Sequence, residues 1–118
     1  MIASVVIANY NNEKFINECI ESLNFQTYQN IEIIFFDDNS SDNSIKIIEK
    51  FKNVKIIKNH IKTNFITFNQ MNAFKRAINK SSGDIIFFLD SDDFFHKNKI
   101  ERIMDIFLKE KEKKVVFY

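Results

Sequence analysis

The sequence has no proline or tryptophan, a single glycine and a single cysteine. One cysteine, Cys19, excludes an internal disulfide, and its place among apolar residues at helical spacing suits buried filler in a reducing compartment. Charge of one sign is missing too: 17 Lys and Arg nearly cancel 16 Asp and Glu, which leaves no field able to hold a phosphate backbone by counterion release. Nucleic acid is therefore not the expected partner. No apolar run approaches a membrane span, and residues 4–8 are too few for the apolar centre of a signal peptide. The expected location is cytoplasmic, at the inner face of a membrane only through sequence beyond these residues. The sign-alternating stretch 109–114 reads as a solvated helix end.

With 45% hydrophobic and 28% charged residues, the 118-residue chain suits one globular domain with a core. Its fourteen phenylalanines read as compositional bias. Short, nearly continuous apolar runs alternate with segments of helical period, the signature of βαβ units around a parallel sheet covered on both faces. Strands are expected at 3–8, 31–37, 54–59, 84–89 and 115–118. Helical faces are expected from Phe15, Ile16, Cys19, Ile20 and Leu23, then from Ile45, Ile48 and Phe51 behind a Ser/Asp/Asn cap. Two more follow, from Phe68, Met71, Phe74 and Ile78, and from Ile100, Ile103, Met104 and Phe107. Gly83 is expected to end the third helix in a left-handed cap. The final run, 115–118, reads as a strand with nothing after it, so a domain cut in mid-fold is expected, with an exposed edge that also suits a homodimer.

In an open parallel sheet, ligands bind beyond the carboxyl ends of the strands. Every dense polar cluster of this sequence falls there: Asn9-Tyr10-Asn11, Asp37-Asp38-Asn39-Ser40 and Asp90-Ser91-Asp92-Asp93. Each cluster alone is ordinary turn and cap chemistry. Together they predict that Asp37, Asp38, Asp90, Asp92 and Asp93 converge, and like charges so placed raise one another's pKa unless a cation compensates. Oxygen ligands without a paired His or Cys select a hard ion, Mg²⁺ or Mn²⁺, which takes one or two carboxylates and completes its shell with water and phosphate oxygens. A diphosphate substrate is the corollary. His60 and His96 have no metal-ligand spacing.

Four stretches, Ser4-Val5-Val6-Ile7-Ala8-Asn9-Tyr10-Asn11, Leu23-Asn24-Phe25-Gln26-Thr27-Tyr28, Phe36-Asp37-Asp38-Asn39-Ser40-Ser41-Asp42 and 83–93, resemble the family-2 glycosyltransferases in order and spacing. The resemblance implies a Rossmann-like GT-A fold, mostly parallel with helices on both faces and truncated at its C-terminus, forming one nucleotide-sugar-binding domain over 1–118. It implies that Ala8 and Tyr10 border the nucleobase, the Tyr10 ring stacking on it, and that Asp38 hydrogen-bonds the base edge. In the Asp-x-Asp motif, Asp90 would face the ribose or the hydrated metal and Asp92 would bind the metal on the diphosphate, assisted by Asp93. Asn9 and Ser91, inside the matching motifs, join the nucleotide-binding set, while Gln26 and Thr27 are read as structural. The third helix departs from the family's frequent wording, which leaves Lys75 and Arg76 as phosphate-side candidates beside a solvated-face reading.

The implied activity is inverting, metal-dependent transfer of a sugar from a nucleoside diphosphate, UDP by default, to a glycan or lipid-linked acceptor of the cell surface. The general base such chemistry needs is expected beyond residue 118, because Glu101, Asp105, Glu110 and Glu112 fall on a surface helix. Two alternatives share an acidic strand end. A haloacid-dehalogenase-type phosphatase places its nucleophile strand first, whereas here the Asp-x-Asp follows the fourth strand. A receiver domain wants an Asp after strand three, where this chain has Asn59-His60. A nucleotide-binding module without catalysis is the third alternative.

Overall fold

The computed structural model describes residues 1–59 and 66–109, with 66–70 as backbone. Four strands, β1 (Ala3–Asn9), β2 (Ile31–Asp37), β3 (Val54–Lys58) and β4 (Ile85–Asp90), alternate with four helices, α1 (Ile16–Asn24), α2 (Ser44–Ile48), α3 (Ile66–Lys80) and α4 (Lys99–Lys109). All neighbouring strands pair in parallel, in the order β3-β2-β1-β4. The α/β expectation holds, with strand limits within a residue of those read from the apolar runs. The expected strand at 115–118, together with His60, Glu110, Glu112 and the side chain of Phe68, lies outside the described residues.

Alternation along the strands divides the core. Val5, Ile7, Ile33, Phe35, Phe87 and Leu89 point to one face, where Ile16, Cys19, Ile20 and Leu23 of α1, Ile48 of α2 and Ile100 and Met104 of α4 cover them. Val6 and Ile34 point to the other, against Ala77 and Phe74 of α3. Of the stripe expected on α3, Phe74 packs as expected, while Met71 and Ile78 are corrected. Met71 is 68% and Ile78 37% exposed, while small Ala73 and Ala77 make the contact. Residue size explains the difference, because alanines let the helix approach the backbone of the sheet. Phe15, expected on the face of α1, lies just ahead of the helix and is exposed, and Phe51 reaches the core from beyond the five-residue α2.

Gly83 also departs from expectation, since no glycine has a positive φ. Its reason is space. A Cβ at this position would sit 2.8 Å from the Ser4 nitrogen and 2.9 Å from the Ile2 carbonyl oxygen, so only glycine lets the turn before β4 lie against β1. The Gly83 N–H donates to Ser4 Oγ at 2.9 Å, and Ser4 Oγ donates in turn to Glu32. Glu32 further accepts from Lys55 on β3 and from both the N–H (2.8 Å) and the hydroxyl (2.9 Å) of Ser82. Burial opposes the charge on Glu32, yet the bonds from Lys55, Ser4 and Ser82 outweigh it and hold the carboxyl at about 2. One carboxylate thus ties three strands and the α3–β4 turn together at the amino-terminal end of the sheet.

Among the described residues no helix is long and apolar enough to cross a membrane.

Candidate functional site at the carboxyl ends of the strands

The chain runs outward from β1 to β3 and then returns past β1 to place β4 on its other side. The register sets Ala8 between Phe36 and Asp90, and Asn9 opposite Asp37, so β1, β2 and β4 end level. Their polar loops form one rim.

The loops after β1 and β2 clasp each other. Ser40 Oγ accepts from the Asn11 N–H at 3.0 Å, Asn11 Oδ1 accepts from the Ser41 N–H at 2.8 Å, the Glu13 N–H donates to Asp42 Oδ2 at 3.0 Å, and Glu13 Oε2 accepts from the Asn43 N–H at 2.7 Å. Asn11 (φ 51°) and Asn39 (φ 60°) take the left-handed conformation that Asn tolerates in a sequence short of glycine. Beside the clasp lies a pocket of about 410 Å³ lined by Asn11, Glu13, Phe15, Ser41 and Asp42 among others. Asp42 also caps α2, its Oδ1 accepting the Ser44 N–H at 2.9 Å.

The expected convergence of five carboxylates is corrected here. Asp37 is buried and spends its oxygens within the fold. Oδ1 accepts from Asn9 Nδ2 (2.8 Å) and Ser40 Oγ (2.6 Å), and Oδ2 accepts from the Ser40 N–H (2.9 Å). It is the pin of the β2 loop, buried beneath the rim. Asp38 is half-buried; its N–H donates to the Asn9 carbonyl at 2.9 Å and its Oδ1 accepts from Asn59 Nδ2 at 2.7 Å. Asn59 stands just past β3, buried, with its own N–H on the Asp37 carbonyl at 2.8 Å.

Asp90, Asp92 and Asp93 do come together. The Asp93 N–H donates to the Asp90 carbonyl at 3.0 Å, closing a turn that leaves all three residues exposed. Burial, then the charges of Asp92 and Asp93, push the Asp90 carboxyl above its ordinary value. Buried Ser91 anchors the turn to β1, its N–H on the Ala8 carbonyl at 3.1 Å and its Oγ accepting from Asn12 Nδ2 at 2.9 Å. Beneath the turn, burial and the charges of Asp93, Asp92 and Asp90 raise the Cys19 thiol to about 12, so it stays a protonated apolar filler.

Of the other residues singled out by sequence, Ala8 is half-buried and Tyr10 is 56% exposed on the rim. Asn9 is buried; its Nδ2 serves Asp37 and Ser40, and its Oδ1 is buried without a hydrogen-bond partner. Lys75 is exposed, whereas Arg76 donates through Nη1 to Asn59 Oδ1 at 3.3 Å. His96 is exposed and its Nδ1 is 2.7 Å from Asn98 Oδ1. Gln26 is structural, its Nε2 donating to the His96 carbonyl at 2.9 Å and its Oε1 accepting from the Ile100 N–H at 3.2 Å, which joins the ends of α1 and α4. Sequence reading missed Asn59 as a member of the site. The available signal was its place at a strand end, which it shares with Asn9, Asp37 and Asp90.

Among the described residues, no three His, Cys, Asp or Glu side chains form a ready cation cage. The exposed oxygens of Asp90, Asp92 and Asp93 suit a hard ion that draws the rest of its shell from water and a diphosphate.

A family model described as Glycosyl transferase family 2 matches residues 4–117, and the chain belongs to that family. The match sets aside both phosphoryl-chemistry alternatives. An Escherichia coli relative, the UDP-Glc:alpha-D-GlcNAc-diphosphoundecaprenol beta-1,3-glucosyltransferase WfaP, is 41% identical over 99 residues, which make up 84% of this chain and 38% of the relative. The chain therefore spans about two fifths of that protein's length. Among solved structures, Staphylococcus aureus TarS 1–349 in complex with UDP-GlcNAc superposes with a TM-score of 0.82 at 23% identity, over 100% of this chain and 37% of that one. The mannosyltransferase PcManGT from Pyrobaculum calidifontis, in complex with GDP-Man and Mn²⁺, does so with a TM-score of 0.68 at 17% identity, over 79% of this chain and 28% of that one. At these identities the two structures establish the shared fold.

Proposed function

We propose that this member of glycosyl transferase family 2 forms, over residues 1–118, the single domain that holds the nucleotide-sugar donor of a transferase building cell-surface glycan. The observation that carries the reading is the Asp90–Asp93 turn: three exposed carboxylates at a level strand rim, one of them with its pKa raised by burial and then by the other two. Such a cluster costs free energy until a cation and its anionic ligand neutralise it. Asp92, with Asp90 and Asp93, would hold Mg²⁺ or Mn²⁺, which when bound supplies charge stabilisation for the departing diphosphate.

The chain's own residues have distinct tasks in this reading. Tyr10 offers an exposed ring for stacking on the base, and Ala8 leaves room beside it. Asp38 turns a carboxylate toward the base edge, while Asn9 and Ser91 brace the loops on either side of the donor from buried positions. UDP is the expected nucleotide, a glycan or lipid-linked hydroxyl the acceptor, and inversion the stereochemical outcome. The general base of the whole protein lies beyond residue 118 in this reading, so the chain by itself binds donor and transfers negligibly.

Calorimetric titration of UDP, GDP and dTDP with Mn²⁺, Mg²⁺ or EDTA tests this directly. Metal-dependent binding of UDP, weakened in Asp92→Asn, is the expected result. Equal binding with and without EDTA would remove the acidic turn from the donor site, and robust sugar transfer by the 118-residue chain would refute the assignment of the base.

A further inference from the structure

We infer that Asn12 is a positioning residue that ties the Asp90–Asp93 turn to the loop after β1, so that the base end and the metal end of the donor site stand at a preset separation. The inference rests on the donor-site reading and goes beyond it in naming the side chain that joins the two ends.

The loop after β1 divides its side chains between two neighbours. Those of Asn9, Asn11 and Glu13 bond to the β2 loop, at Asp37 and Ser40, at Ser41 and at Asn43. The Tyr10 ring is left exposed on the rim. Asn12 reaches the other way: its Nδ2 donates at 2.9 Å to Oγ of Ser91, which is 79 positions later and fully buried. Among the described residues, no other side chain from 9 to 15 bonds to the acidic turn. Asn12 is itself held, because its carbonyl accepts the Phe15 N–H at 3.0 Å and the N–H groups of Asn11 and Glu13 are tied to Ser40 and Asp42.

The acidic turn has few other ties. Its internal bonds, the Asp93 N–H on the Asp90 carbonyl at 3.0 Å and the Phe94 N–H on Asp93 Oδ1 at 2.8 Å, give it shape without fixing where it stands. Between the end of β4 and Phe95, whose N–H donates to Ser22 Oγ at 3.1 Å, the described residues attach the turn to the rest of the fold only at Ser91. The Ser91 N–H on the Ala8 carbonyl prolongs the β4–β1 ladder and sets the height of the turn on the sheet. The Ser91 hydroxyl on Asn12 sets its distance from the loop that carries Tyr10. Repulsion among Asp90, Asp92 and Asp93 works against that placement. A nucleoside diphosphate must meet the base contacts and the metal at once, so a turn already in place spares the ligand the work of ordering it.

The test measures UDP affinity in the presence of Mn²⁺ for the 118-residue chain, Asn12→Ala, Asp92→Asn and the double variant, each checked for folding by thermal melting. Asn12→Ala is expected to weaken UDP about fivefold in the unaltered background, the worth of one hydrogen bond, and by at most about twofold where Asp92→Asn has already removed the metal contribution. A merely structural role would cost the same factor in both backgrounds, and that outcome overturns the inference. Ser91→Ala removes the same bond from its other side and is expected to reproduce the loss. It decides by the same comparison should Asn12→Ala fail to fold, and failure of both to fold overturns the inference by making the pair a folding element. If Asp92→Asn weakens UDP while neither Asn12→Ala nor Ser91→Ala does, the inference falls and the donor-site reading stands. UDP binding unaffected in Asp92→Asn, or no binding of UDP to the unaltered chain, removes the inference together with its premise.

Discussion

The two ends of the sheet treat carboxylates in opposite ways. At the amino-terminal end Glu32 sits among Lys55, Ser4 and Ser82 and is held at about 2, while at the carboxyl end burial, and then the like charges of Asp92 and Asp93, push Asp90 upward. A charge with every oxygen satisfied stabilises the fold it belongs to. A charge with like neighbours weakens the fold until something else arrives. The first end is organised for folding, and the second carries the unsatisfied charge that the proposed donor site would use.

The sharpest way to break the stabilising end is Gly83→Val. A side chain there must displace the β1 backbone at Ser4 and Ile2, and the expected loss is about 3 kcal/mol, read as a fall in the midpoint of urea unfolding. Next comes Glu32→Gln, which keeps the shape but removes the charge that Lys55, Ser4 and Ser82 donate to; a loss of about 2 kcal/mol is expected in the same assay. At the other end, Asp92→Asn is expected to weaken UDP binding with Mn²⁺ about tenfold, or roughly 1.4 kcal/mol, while leaving the unfolding midpoint without ligand unchanged or slightly raised. A large loss of stability in that variant would collapse the contrast between the two ends.

In pH dependence the two ends have opposite signs. Glu32 has its folded pKa below the ordinary 4.5, so its stabilisation is complete above that value and is lost as pH falls toward about 2. Asp90 has its folded pKa above the ordinary 3.8, so the folded state loses stability as pH rises from 3.8 through the raised value. Stability curves of Glu32→Gln should show a smaller acid-side fall, the bonds that lower Asp42 keeping the remainder, and those of Asp90→Asn should lack the small decline above it. Mn²⁺ with UDP should abolish that decline in the unaltered chain, and its persistence would separate Asp90 from the ligand site.

The residues that were legible in advance share a cause. Strand runs such as 31–37 and the α4 stripe of Ile100 and Met104 are set by local periodicity, and the Asp-x-Asp by its place after an apolar run. The failures share a cause too. Met71 and Ile78 carry apolar side chains at helical spacing yet face outward, because contact distance to the sheet favoured Ala73 and Ala77. Asp37 and Asp38 are adjacent carboxylates with different fates, one held by Asn9 and nearby Ser40 and the other by Asn59, and the partners Asn9 and Asn59 lie 28 and 21 positions away.

By itself the sequence determined the alternation of strands and helices, the parallel sheet, and the rim on which polar loops must gather, because each follows from side-chain period and from backbone groups a few residues apart. Only the tertiary structure decided which carboxylates remain available, why the single glycine is needed, and how Asn59 and Arg76 come to stand behind Asp38. Those outcomes rest on contacts between residues distant along the chain, whose distances are set by strand order and register.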